Sequence, residues 1–230
     1  MHNSEIQMTS LHKIAAQICL VASCFFCSGA MAAYIDFTDD GLSLSSISGG
    51  YEGSVGSIGF QLTSAGTITL DKDGGYDGSS GEGCQSGTGT LMCDTDGIGI
   101  NNDEITMGQV LNLVFDTSVY ITSIEFLDLY VGNGTERATV TIGGGTPVHE
   151  IATASSGDGG YANLGLLALV EAGQNVVFSA SFLPNLRDDG DNDYALAAIT
   201  VSAVPIPAAV WLFGTALIGL IGFNKRRKAS

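Results

Sequence analysis

An all-β protein, an antiparallel β-sandwich of the jelly-roll kind, is the fold class that three features of the sequence predict. Short apolar stretches alternate with polar residues at period two. Val176, Phe178, Ala180 and Phe182, for instance, are interleaved with Val177, Ser179 and Ser181, which turns one row of side chains inward. Clusters of glycine with Asp, Asn or Ser punctuate these stretches, and 32 of the 230 residues are glycine, as frequent tight turns require. Between the two ends of the chain, no segment carries the 3.6-residue period of a long amphipathic helix.

In chain order, strands are expected at residues 34–37, 42–47 and 58–62, then at 67–70, where Thr67, Ile68, Thr69 and Leu70 alternate. Residues 110–115 and 119–130 follow, then 138–142, rich in β-branched side chains that suit a pleated surface. Further strands read at 148–153, 176–182 and 194–201. Residues 164–170 are apolar at both parities, which fits a buried strand or a short helix. Turn chemistry separates them at Asp73-Gly74-Gly75, Gly132-Asn133-Gly134, Gly143-Gly144-Gly145, Gly157-Asp158-Gly159 and Ala172-Gly173. About ten short strands joined this way pack as facing sheets.

The ends of the chain read differently. Residues 1–32 run from a weakly charged start through Lys13 into an apolar stretch, and close on Ser28-Gly29-Ala30-Met31-Ala32. That order is a signal peptide, with cleavage expected between Ala32 and Ala33, or one bond later. At the other end Val204-Pro205-Ile206-Pro207 precedes an uncharged run at 208–223, then Lys225, Arg226, Arg227 and Lys228. As a helix that run spans about 24 Å, near the ~30 Å of a hydrocarbon core, and the four cations stay on the cytoplasmic side. The expected organisation is a leader at 1–32, an acidic ectodomain at 33–203 and a membrane tail at 204–230.

The order of Val204-Pro205-Ile206-Pro207, an apolar span beginning Ala208-Ala209-Val210-Trp211 and the basic tail resembles the PEP-CTERM class of sorting signals, closest to its VPLPA variety. Ile206 stands where the name-giving pattern has Glu and the variety has Leu. The resemblance covers about 25 residues. It implies a protein exported across the inner membrane of a Gram-negative bacterium. Its tail helix holds it in that membrane until an exosortase, an integral membrane cysteine protease, cuts it, and it then reaches the outer surface or the medium beside exopolysaccharide. The stretch from Asp96 to Phe126 and the closing Asn192-Asp193-Tyr194 strand also resemble ectodomains common in that class, for which no defined activity is implied.

Charge narrows the partners. All but one of the 24 acidic residues lie between Ala33 and Val204, beside only Lys72, Arg137 and Arg187, so the domain carries a net charge of about −20. Such a field repels phosphate, which excludes nucleic acid and disfavours anionic lipid, and it suits divalent cations or neutral glycans. Of the five cysteines, Cys19, Cys24 and Cys27 fall in the leader. Cys84 and Cys93 remain as an even pair in an oxidising compartment, and a disulfide between them is expected.

Oxygen-rich clusters are the candidate metal ligands. Asp94, Asp96, Asn101, Asp103 and Glu104 form one, with Asn102 among them; Asp188, Asp189, Asp191 and Asp193 form a second; Asp71, Asp73 and Asp77 form a third. Carboxylates and amides on loops are what a structural calcium ion takes, although none matches the EF-hand spacing. The same residues also serve as turn formers, and both readings stand at this point.

Catalysis is not expected. His149 is the single histidine after the leader, and no Gly-x-Ser-x-Gly elbow occurs. Gly97-Ile98-Gly99 lacks the third glycine of a dinucleotide loop. Two classes remain: a structural component of the envelope or extracellular matrix, and a calcium-stabilised carbohydrate-binding module. Sugar sites use aromatic platforms, and the lone Trp211 lies in the tail, which leaves Tyr51, Tyr76, Tyr130, Tyr161 and Tyr194. That scatter favours the structural class. A plain single-span membrane protein is the third option.

Overall fold

The computed structural model describes residues 32–39, 41–71, 84–85, 90–91, 97–102, 104–131, 135–152, 160–180 and 192–204. Ala32–Val204 form one compact unit. The strands are β1 (Ala32–Asp36), β2 (Leu44–Ile47), β3 (Gly50–Val55), β4 (Ile58–Ser64), β5 (Ile68–Asp71), β6 (Cys84–Gln85), β7 (Thr90–Leu91), β8 (Gly97–Ile100), β9 (Leu111–Phe115), β10 (Val119–Leu127), β11 (Arg137–Ile142), β12 (Val148–Ile151), β13 (Ala162–Val170), β14 (Asn175–Ala180) and β15 (Ala195–Ala203). No helix occurs among the described residues, so the all-β, antiparallel class expected from the sequence is what the chain adopts.

Two sheets hold the core. The first runs β13-β10-β15-β8-β5, with β1 also pairing β15; the second runs β12-β11-β14-β9-β4-β3-β2; β6 and β7 make a separate small hairpin. The inward rows of both sheets meet in one cluster. Ile35, Ile124, Phe126, Leu196 and Ile199 come from the first sheet, and Phe60, Leu62, Leu113, Phe115 and Phe178 from the second, all buried. Phe37 stands edge-on to Phe60 with ring centroids 6.0 Å apart, and Phe126 meets Tyr194 in the same way at 5.2 Å. Edge-to-face contacts of this kind add to the burial of apolar area that drives the sheets together.

Several segments depart from the expected boundaries for physical reasons. Residues 119–130 are not one uninterrupted strand. β10 is shifted in register between Ile121 and Ser123 and again between Glu125 and Phe126, so its inward parity changes along its length. Residues 164–170, ambiguous between strand and helix, belong to β13, whose alternate residues are exposed. β3 and β8 were not expected, because glycines depress strand propensity. Here the glycines meet a steric demand. A Cβ on Gly53 would lie 2.6 Å from the Leu44 side chain, and one on Gly97, whose φ is +101°, would lie 2.5 Å from the Leu196 carbonyl oxygen.

Candidate functional site

An open cleft of 790 Å³ crosses the outward face of β2, β3, β4 and β9. Register builds it. Ser45 pairs with Glu52, Glu52 with Gln61, Gln61 with Val114 and Val114 with Asn175. Residues paired across adjacent strands share a face, so a hydroxyl, a carboxylate and an amide line up in one row at right angles to the strands. A second row places Ser54 against Gly59. There the Gly59 N–H donates to Asp116 Oδ1 at 3.0 Å, and the Asp116 N–H donates to the Gly59 carbonyl at 3.0 Å. A Cβ at Gly59 would stand 2.4 Å from Asp116 Oδ2, so any larger residue there would push that carboxylate aside. The turn after β13 forms one wall, held by Ala172 N–H on Ser118 Oγ at 3.2 Å and Gly173 N–H on the Phe115 carbonyl at 2.9 Å.

The chemistry of the cleft is that of a hydrogen-bonding surface. Ser43, Ser45, Ser54, Glu52, Gln61 and Asp116 line it, and no cationic side chain does among the described residues. Phe60 and Phe115 also border it, but both are buried and offer no open ring face. Hydroxyl groups of a ligand could donate to the two carboxylates and exchange bonds with the amide and serines.

A second feature lies on the opposite face of the first sheet. Leu91 of β7 packs there with Leu127, Ala195, Ala197 and Ala198, flanked by Tyr34 and Tyr161. Asp36 pairs with Ala198, Ala198 with Glu125 and Glu125 with Asn163. Glu125 is 0% exposed. The Tyr34 hydroxyl donates to its Oε2 at 3.0 Å, while its Oε1 has no partner among the described residues. Burial pushes the Glu125 carboxyl above its ordinary value, the Tyr34 hydrogen bond opposes that, and the nearby Asp36 charge adds to it.

The residues singled out in the sequence are dispersed. Ala32 and Ala33 open β1. Val204 follows β15 and donates its N–H to the Ser118 carbonyl at 3.0 Å, while Pro205, Ile206, Pro207 and Lys225, Arg226, Arg227 and Lys228 lie outside the described residues. Cys84 opens β6, opposite Leu91, and Cys93 lies outside the described residues. So do Asp94, Asp96, Asp103, Asp188, Asp189 and Asp191. Asn101 adopts a φ of +68°, and its Oδ1 accepts the Thr67 N–H at 3.0 Å, the behaviour of a turn former. The Glu104 carbonyl accepts the Ile100 N–H at 2.8 Å, and Asp193 is half-buried ahead of β15. Among the described residues, no group of three or more His, Cys, Asp or Glu side chains is placed to hold a metal.

His149 is exposed on β12, with its Nδ1 3.0 Å from Thr139 Oγ1. Its pKa is lowered by partial burial and by the Arg137 charge. The tyrosine platforms need correction. Tyr194 is buried against Phe126 and presents no ring to solvent, because it leads into the central strand β15. Tyr51 packs partly against the main core, and no tyrosine lines the cleft among the described residues. Tyr76 lies outside the described residues.

No protein-family model matches the chain, and neither does any curated protein. Among solved structures it is similar to an exo-β-1,3-galactanase from Phanerochaete chrysosporium with galactose, at 18% identity and a TM-score of 0.32, over 67% of this chain and 31% of that one. It is also similar to a family 35 carbohydrate binding module from Clostridium thermocellum, at 17% identity and a TM-score of 0.29, over 42% and 79%. A β-(1,4)-mannanase from Podospora anserina follows at 15% identity and 0.31, over 78% and 29%. The chain spans less than a third of either enzyme's length. At these scores the function has to be argued from this chain's own residues.

Proposed function

We propose that the Ala32–Val204 domain is a non-catalytic carbohydrate-binding β-sandwich of an exported envelope or matrix protein, holding a neutral glycan in the cleft on β2, β3, β4 and β9. The supporting observation is the cross-strand row Ser45, Glu52, Gln61, set in an open 790 Å³ cleft beside Asp116. Among the described residues it offers acceptors and donors at the spacing of adjacent strands, with no cation to select an anion and no exposed ring in the lining; the sugar is held through its hydroxyls and not by stacking. Isothermal titration with neutral glycans and with the polysaccharide of the producing cell tests the reading. Glu52→Ala and Gln61→Ala, both at exposed positions, should each weaken binding about tenfold, the loss of a charged or strong neutral hydrogen bond. Absence of binding to every glycan, or binding indifferent to both changes, refutes it and returns the domain to the purely structural class.

The sorting reading rests on the tail sequence. The proline-stiffened segment after Val204 offers an exosortase an extended backbone at the membrane face. Replacing Pro205 and Pro207 by Ala should trap full-length chain in the inner membrane; mass spectrometry that finds Lys225-Arg226-Arg227-Lys228 intact on surface-localised protein excludes cleavage. The proposed Cys84–Cys93 disulfide is checked by non-reducing peptide mapping, where alkylatable thiols at both positions would rule it out.

A further inference from the structure

The cleft on β2, β3, β4 and β9 is built from matched pairs. Each of three strands turns two residues outward, two positions apart: Glu52 and Ser54 on β3, Gln61 and Gly59 on β4, Val114 and Asp116 at β9. Ser43 and Ser45 do the same at β2. The residue between each pair faces the other way. Leu44 packs against the core, and Phe60 and Phe115 are buried in it. Two parallel rows result, about 7 Å apart along the strands, and the step from strand to strand within a row is about 4.8 Å. The strip between the rows is floored by backbone.

We propose that this strip seats an internal stretch of an extended, equatorially linked neutral polysaccharide lying across the strands, one hexose over each of β2, β3, β4 and β9. Resting on the glycan-binding reading above, this assigns the ligand its direction, length and linkage class. The strand step is close to the advance of one hexose in such a chain, whereas an axially linked chain coils away from a straight row. An extended chain also carries hydroxyls along both edges. Every strand meets them with at least one exposed polar side chain: Ser43 and Ser45, Glu52 and Ser54, then Gln61, then Asp116. A chain laid along the strands instead would leave the sheet at the turn between β3 and β4, one residue past Ser54. Finally, β2 ends the order of its sheet among the described residues, so a longer polysaccharide can run on past that edge.

Isothermal titration of the whole chain, in a sugar-free detergent, with cello- and manno-oligosaccharides from disaccharide to hexasaccharide tests it. Affinity should rise at least about tenfold from disaccharide to tetrasaccharide, as the hydrogen bonds of two further strands are added, and then level off. Malto-oligosaccharides, which are axially linked, should show no such rise. Ser43→Ala with Ser45→Ala removes one end of the groove, and Asp116→Ala the other, about 14 Å away. Each should weaken the tetrasaccharide about three- to tenfold, while the disaccharide, too short to span both ends, should respond to one of them at most. Circular dichroism confirms that each variant is folded. Affinity already complete at the disaccharide overturns the proposal but leaves glycan binding in place. So does a tetrasaccharide indifferent to either end, an equal rise with malto-oligosaccharides, or binding of some other glycan but of neither equatorial series. Absence of binding to every glycan overturns the glycan-binding reading as well.

Discussion

Replacing Glu125 by glutamine should stabilise the protein at neutral pH. In the wild type a fully buried carboxylate satisfies one oxygen through Tyr34 and leaves the other without a partner among the described residues. An unpartnered buried polar atom costs about 1–3 kcal/mol, and a charged one more. The amide keeps an acceptor for Tyr34 and leaves its NH2 where the unpartnered oxygen was, so the gain comes from removing the charge that burial and Asp36 oppose, about 1–2 kcal/mol. For a domain of this size that raises Tm by about 2–8 °C. The gain depends on pH. Burial and Asp36 hold the folded carboxyl above its unfolded value, against the Tyr34 bond. The cost of ionising it is therefore absent below the unfolded pKa, grows as pH rises through the interval, and is complete above the folded pKa. Thermal denaturation followed by circular dichroism from about pH 4 to pH 8 spans the ordinary carboxylate range, and the two proteins should converge at the acid end. A variant less stable at pH 7, or a difference that does not change with pH, refutes the reasoning. A loss that appears with calcium and disappears with chelator would show instead that the carboxylate ligates a cation.

Phe126→Ala removes the ring packed on Tyr194 at 5.2 Å and should cost about 3–5 kcal/mol in urea denaturation; a loss under 1 kcal/mol would mean that the core collapses around the gap. Gly97→Ala combines a φ of +101° with a Cβ 2.5 Å from the Leu196 oxygen and should cost about 1–3 kcal/mol. Gly108→Ala has a φ of +83° and open space, so it should cost less, and equal losses would show that the contact with β15 is irrelevant. NMR titration of His149 should give a midpoint below the ordinary imidazole value, since partial burial and Arg137 both disfavour the cation; a midpoint above it would place a carboxylate nearer than Arg137.

Period-two alternation was enough to read most of the strands and their antiparallel class, because β9 and β14 bury strictly alternate residues. It failed where alternation is broken. Ala197 and Ala198 sit together at the second register shift of β10 against β15, and no count of apolar residues reveals which face receives them. β3 and β8 were hidden by glycines whose value is the space they leave for neighbours distant in sequence. The cleft was illegible for a related reason. Ser45, Glu52 and Gln61 lie on three strands, and only their register makes them one row. Glu125, inside the apolar run Ile124-Glu125-Phe126, reads as an ordinary outward strand residue until Leu91 is seen packing on the same face. Tyr194 was misread as a platform because a tyrosine at a strand entrance has the same sequence signature whether its ring is inside or out.

The position of β15 governs the order in which the molecule can assemble. It is the last strand in the chain, yet it lies inside the first sheet, with β10 along one side and β1 and β8 along the other. The first strand and the last are direct neighbours, Ala32 opposite Ser202. Until residues 195–203 arrive, β1 has no ladder partner and β10 has only β13. Closure of this sheet therefore waits for almost the whole chain, a long-range contact of the kind that slows folding. A chain that lacks its last strand cannot close this sheet, however much of it has already been made. Folding then follows as a single late event when the final strand slots into place.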